Sequence, residues 1–197
     1  SKWCKTNGVA FREYRNFGVF RGLKERDGWA QRWRQHMSVK LSEPSVQHQW
    51  LAAHSATDWQ SWNPHLSGDT ITVPSYQSPK QHLTDFLEYG GERYHLEMSS
   101  PSTAPLACSR LSTLIATGRL SMRQIVQQTW NRQSAVRSDD PEKRGTWPKA
   151  LAAFQSRLHW HCHFIQKFES QPDIEFNNMA RSCDGLREND FDAQSYN

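Results

Sequence analysis

The stretch RLHWHCHFIQKF, residues 157–168, places His159, His161, Cys162 and His163 within five positions. Imidazoles four apart on a helix share one face and bind a metal ion when a third ligand joins them. His159 and His163 have that spacing, but no Glu follows His159 as it does in metalloprotease helices, and no distant Cys/His pair completes a set. His161 points roughly opposite to the shared face. The residues therefore read as a packed or hydrogen-bonded polar face, and no metal ligand or catalytic residue is assigned. A second group with chemical potential is Cys108-Ser109-Arg110-Leu111-Ser112. It falls where a helix is expected to begin, so unpaired N–H groups, Ser hydroxyls and the Arg110 cation would together favour an anion.

These residues must be positioned by the elements around them. Residues 3–8 (WCKTNG) end a helix, with Gly8 as the stop, and residues 9–14 (VAFREY) alternate as a short strand does. A helix follows over RDGWAQRWRQHM, with Asp27 as its cap and Trp29, Trp33 and Met37 as an apolar stripe. From Ser38 to Pro79 the pattern dissolves among Pro, Ser and His, the signature of an interdomain connector. Helices then dominate. One starts at Pro79 and ends at Gly90–Gly91, and a short apolar one is closed by Gly118. Ser121 caps the next, and a long helix has Thr146 as cap and Pro148 in its first turn. SDDPEKRG between the last two reads as a solvated loop, and the chain after Asp173 is polar and weakly patterned.

Composition limits what this chain can be. Of 197 residues only 36% are hydrophobic, mean hydropathy is −0.84, and nine residues are Trp. Aliphatic core material is scarce for an independent globule, so the expectation is an incomplete folding unit with aromatic packing. Net charge +4 and pI 9.0 suit an acidic partner such as nucleic acid, or simply a basic surface. The charge runs (KERD, DDPEKR) are short and mixed, and there is no basic tail. The four cysteines have no CxxC spacing, so reduced thiols in a reducing interior are expected. No apolar run is long enough to span a membrane, and the opening SKWCKTNG reads as the interior of a longer or processed protein.

Three stretches in fixed order, SSPSTAPLACSRLSTLIATGRLSMRQIV, RLHWHCHF and IEFNNMARSCDGLRE, together resemble the flavin-binding half of the DNA photolyase/cryptochrome family. The Ser109-Arg110-Leu111-Ser112, Thr117-Gly118 and Leu120-Ser121-Met122-Arg123 elements carry the likeness, and NFGVFRGLKERDGWAQRW resembles the end of that family's antenna domain. The resemblance implies a mainly α chain: an antenna-domain remnant of small α/β character over 1–38, a connector over 39–79 and an incomplete FAD-binding helical domain over 80–197. It implies that Cys108, Ser109, Arg110, Leu111 and Ser112 hold the FAD diphosphate. It also implies that Tyr94 touches the flavin nucleotide, that Phe154 lies beside the adenine, and that Arg157 and His161 occupy cofactor- and lesion-contacting positions. Trp160 would stack on a flipped base of DNA. The sequence departs from the family where Cys108 stands in place of a frequent Thr, where Ser112-Thr113 replaces the usual Ser-Pro, a milder change, and where Arg157 and His161 replace the Glu and Arg of many photolyases, although the branch it resembles most carries Arg-Leu-His-Trp-His/Arg-Cys-His-Phe there.

The family's later half, beginning Ala-Trp and leading to Gly-x-Thr-Gly-Tyr-Pro, would follow FDAQSYN. It carries the groups that face the flavin ring. The sequence therefore leads to the expectation that this chain alone binds FAD weakly or not at all, by a factor of about a thousand or more. The favoured reading is a non-catalytic structural or interaction subunit whose exposed helical faces are covered by other chains. The alternative is one part of a split, light-driven pyrimidine-dimer lyase or blue-light receptor completed by another chain. A plain basic nucleic-acid binder is a third. By analogy alone, the host would be photosynthetic and the compartment a bacterial cytoplasm or plastid.

Overall fold

The computed structural model describes residues 2–23, 25–42 and 78–186. Nearly all of the expected connector lies outside the described residues. The chain divides into two compact units, one formed by Ser1–Met37 with Gln155–Asn197 and the other by Ser38–Phe154. The described residues form helices α1 (Lys2–Thr6), α2 (Trp29–Ser38), α3 (Pro79–Asp85), α4 (Tyr94–Glu97), α5 (Ala104–Ala107), α6 (Ser112–Ala116), α7 (Met122–Ser138) and α8 (Trp147–Ser170). The chain is thus mainly α, and no strand occurs among the described residues. Helix α8 gives residues 147–154 to one unit and 155–170 to the other.

In the unit of residues 38–154, the best-defined element is α7. Its buried residues Met122, Ile125, Val126, Thr129 and Val136 recur at helical spacing and form one stripe. Ser121 caps it in a complete capping box: the Ser121 hydroxyl accepts from the Gln124 N–H, and the Gln124 side chain accepts from the Ser121 N–H. Thr129 lies inside the stripe without penalty because its hydroxyl donates to the Ile125 carbonyl at 2.8 Å. Helix α3 widens into a π-turn over Phe86–Gly90, closed by Gly91 N–H donating to the Phe86 carbonyl at 2.8 Å. Arg132 donates to the Leu87 carbonyl within that turn and stacks its guanidinium over the Trp147 ring.

In the unit of residues 1–37 and 155–197, α2 buries Trp29, Trp33 and Met37 as its pattern predicts. From α8, Leu158, Cys162 and Gln166 are buried. Gln166 acts like a piece of backbone: its Oε1 accepts from the Phe20 N–H at 2.7 Å, and its Nε2 donates to the Phe20 carbonyl at 3.1 Å. An irregular segment is thereby held without a sheet. Gly18 is needed at its bend, because φ is +65° and an added Cβ would sit 2.7 Å from Trp33 Cδ1.

Four local expectations are corrected. Residues 9–14 form no strand and are exposed. A strand is stable only when a neighbour pairs its N–H and C=O groups, and among the described residues none does, so the small α/β remnant is helical and irregular instead. Asp27 does not cap α2: Gly28, at φ +74°, precedes the first helical residue, and its carbonyl accepts from Arg32 N–H. The short apolar helix closed by Gly118 is confined to Ser112–Ala116, and a further short helix, Ala104–Ala107, precedes it across extended backbone at Cys108 and Arg110 at φ +54°. Thr146 does sit at the start of α8, but its hydroxyl donates to the Glu92 carbonyl, tying α8 to the turn after α3.

Candidate functional site

The Cys108–Ser112 element lies wholly within the unit of residues 38–154 and is built on the break between α5 and α6. Cys108 leaves α5 with extended backbone, and its Sγ lies 3.9 Å from the Met98 carbonyl. The Ser109 carbonyl meets His82 Nε2 at 2.9 Å, which pins the turn to α3. Arg110 then takes a left-handed conformation that a side chain tolerates poorly, and its guanidinium end is exposed. Leu111 is buried and anchors the turn, while Ser112 is exposed at the first residue of α6. The first bond into α6 runs from Ile115 N–H to the Leu111 carbonyl, so the Ser112, Thr113 and Leu114 N–H groups precede it. Those N–H groups, two Ser hydroxyls and one cation are the donor set an anion would meet. A helix of five residues has little macrodipole, so the N–H groups and Arg110 would supply most of any attraction.

Tyr94 and Phe154 come together in the same unit. Both are buried, with ring centroids 5.5 Å apart, and both pack on Phe86, at 5.8 and 4.8 Å. This three-ring cluster is core packing in which Tyr94 meets both Phe rings edge-to-face and the two Phe rings are tilted at 59°. Its sequence signal is only the apolar spacing of three separate helices.

The remaining expected residues belong to the other unit. Arg157 and His161 are exposed, and Trp160 is 50% exposed. Trp160 continues into Phe164 and Phe168, which are 45% and 46% exposed, giving a stripe at i, i+4 and i+8 along α8. Trp160 and Phe164 touch, with centroids 5.5 Å apart. The family resemblance marks only Trp160 of this stripe; Phe164 and Phe168 show in the sequence as helical spacing and not as surface, because periodicity does not say which face is covered.

The histidines of α8 are packed against rings of the amino-terminal segment. His159 lies 5.0 Å from Trp29 and 4.9 Å from Trp33, His163 lies 5.6 Å from Trp29, and His161 lies 5.2 Å from Phe17. Arg26 Nη2 is 2.7 Å from His163 Nε2 and 3.1 Å from Nδ1. Burial lowers the pKa of all three, aided by Arg34 at His159 and by Arg26, His159 and Lys167 at His163. Burial pushes the Cys162 thiol up to about 11, although the Trp33 N–H facing its sulfur partly offsets this. Among the described residues no group of three or more His, Cys, Asp or Glu is placed to hold a metal ion, and no helix is long and apolar enough to cross a membrane.

A cleft of about 490 Å³ in this unit is lined by Glu13, Tyr14, Arg15, Asn16, Val19, Arg21 and Glu169. Arg21 bridges Glu13 at 3.0 Å and Glu169 at 3.2 Å, so the charges at its wall largely satisfy one another.

Compared with known proteins, the chain matches no family model, no curated protein and no solved structure.

Proposed function

We propose that this chain is a photolyase/cryptochrome-like segment that acts as a structural or interaction subunit of a larger assembly. The observation that carries the reading is the aromatic stripe of Trp160, Phe164 and Phe168 on α8, each about half exposed. A row of large rings left open to water is costly, at about 25 cal/mol for each Å² of apolar surface, and covering it on a partner recovers that energy. The family likeness rests on the order and spacing of the three motif stretches. Arg110, Ser112, Trp160 and the other carried-over residues keep their proposed roles on that basis alone.

The second reading is one part of a split, FAD-dependent, light-driven DNA lyase or photoreceptor. It is favoured by the turn at Ser109–Ser112, where a strained Arg110 and the start of α6 present donors outward. Under this reading Cys108, Ser109, Arg110, Leu111 and Ser112 would hold the diphosphate, and flavin would supply the redox chemistry when bound.

Visible absorption of the native particle, referenced to chain concentration, separates the two. The subunit reading expects no flavin band, and a near-stoichiometric band would replace it with the split enzyme. Hydroxyl-radical footprinting then tests the surface itself. Trp160, Phe164 and Phe168 should be shielded in the particle and labelled in the isolated chain; equal labelling in both refutes the interaction role.

A further inference from the structure

Three elements of one unit meet at the histidines. Phe17 and Arg26 come from the irregular amino-terminal segment, Trp29, Trp33 and Arg34 from α2, and His159, His161 and His163 from α8. Each histidine touches at least one aromatic ring of the amino-terminal segment. We propose that these histidines form an acid-sensitive clasp, closed while they are neutral and loosened when they take up protons, which frees the segment carrying Phe17, Trp29 and Trp33 from α8.

The geometry at His163 carries the argument. A guanidinium has only donors, so the ring nitrogen that Arg26 Nη2 approaches must offer a lone pair. Protonation removes that lone pair and leaves two cations within 3.1 Å or less of each other. Among the described residues, the charged groups that act on His159 and His163 are all cations. Arg34 faces His159 from α2, Arg26 faces His163 from the preceding turn, and Lys167 faces it from α8 itself. Cys162, between the histidines in sequence, is held as a neutral thiol and offers no compensating charge.

The direction follows from where each proton binds. The three histidines titrate below the ordinary value of 6.5 while packed, so the released form, with its α8 histidines uncovered, takes up protons first as pH falls. Above about 6.5 the clasp has no electrostatic penalty. As pH falls through that value the released form is increasingly favoured, and the effect saturates below the lowered values of the packed state.

Amide hydrogen exchange on the full chain tests this at about pH 7.5 and about pH 5, either side of the ordinary histidine value, with rates corrected for their intrinsic pH dependence. Amides of α2 should lose protection at the lower pH, because the released form binds more protons than the packed one. Amides of α7, in the other unit, serve as the internal reference and should keep theirs. The H159Q/H163Q variant keeps a neutral acceptor at each position and should flatten the response, and R26Q should reduce it. Equal α2 protection at both pH values in the wild type overturns the proposal. So does a full pH response retained in H159Q/H163Q.

Discussion

Gln166 is the most exacting test of how an irregular segment is held. It is 1% exposed, and its amide replaces a strand partner for Phe20, with contacts of 2.7 and 3.1 Å, while also donating to Ser170 Oγ at 3.1 Å. Gln166→Met keeps the length, helix propensity and volume but removes both hydrogen-bonding atoms. The Phe20 N–H and C=O then lose their partner in a partly buried place. Each orphaned backbone group costs about 1–3 kcal/mol when fully buried, and Phe20 is only partly so, giving about 2–3 kcal/mol for the pair. That is a large share of the total stability of about 5–15 kcal/mol of an ordinary domain. Hydrogen exchange at the Phe20 amide reads the effect directly, since that N–H is the donor. Its protection should fall about 30- to 150-fold, by the usual tenfold per 1.36 kcal/mol. Ser170→Ala removes the third contact and the hydroxyl's own bond to the Gln166 carbonyl but leaves both Phe20 contacts in place, and should change Phe20 exchange less than about threefold, the effect of roughly half a kcal/mol. If the Phe20 amide in Gln166→Met exchanges as slowly as in the wild type, the segment is held by ring packing, and the backbone-mimic reasoning is refuted.

Other outcomes follow from single features. Gly18→Ala should destabilise its unit by about 1–3 kcal/mol, since it combines a positive φ with a close approach to the Trp33 ring, and a fall in the urea midpoint followed by α2 exchange would register it. Arg132→Met should cost about 1–3 kcal/mol, because the Leu87 carbonyl in the π-turn loses its donor and Trp147 its stacked cation, and exchange of the Phe86–Gly90 amides should accelerate first. Cys162 should stay unlabelled by a thiol reagent near neutral pH until the chain unfolds, because its thiol is buried and pushed up to about 11, whereas exposed Cys183 should react at once. Prompt labelling of Cys162 would show that α2 does not cover it.

Elements whose signals are local are readable from neighbouring residues alone. The Ser121–Gln124 box, the stripe of Trp29, Trp33 and Met37, and the left-handed Gly8 and Gly118 all depend on residues within a turn or two of each other, and each appears where its pattern places it. The extent of α8 was legible for the same reason. The chemistry of the α8 histidines was half legible: i, i+4 spacing put His159 and His163 on one face, but not that Trp29 and Arg26 would meet them there. The turn at Ser109–Ser112 was legible as residue types and not as geometry, since neither the left-handed Arg110 nor the contact of His82 with the Ser109 carbonyl is written in the turn's own residues. The alternation at residues 9–14 failed because a strand exists only with a partner, which no pattern within the segment can supply. Gln166 gave no signal at all, because what it does depends on a backbone 146 positions away. Local torsion and capping energies are written in neighbouring residues, whereas burial, exposure and the partners of polar groups are fixed only when distant segments pack.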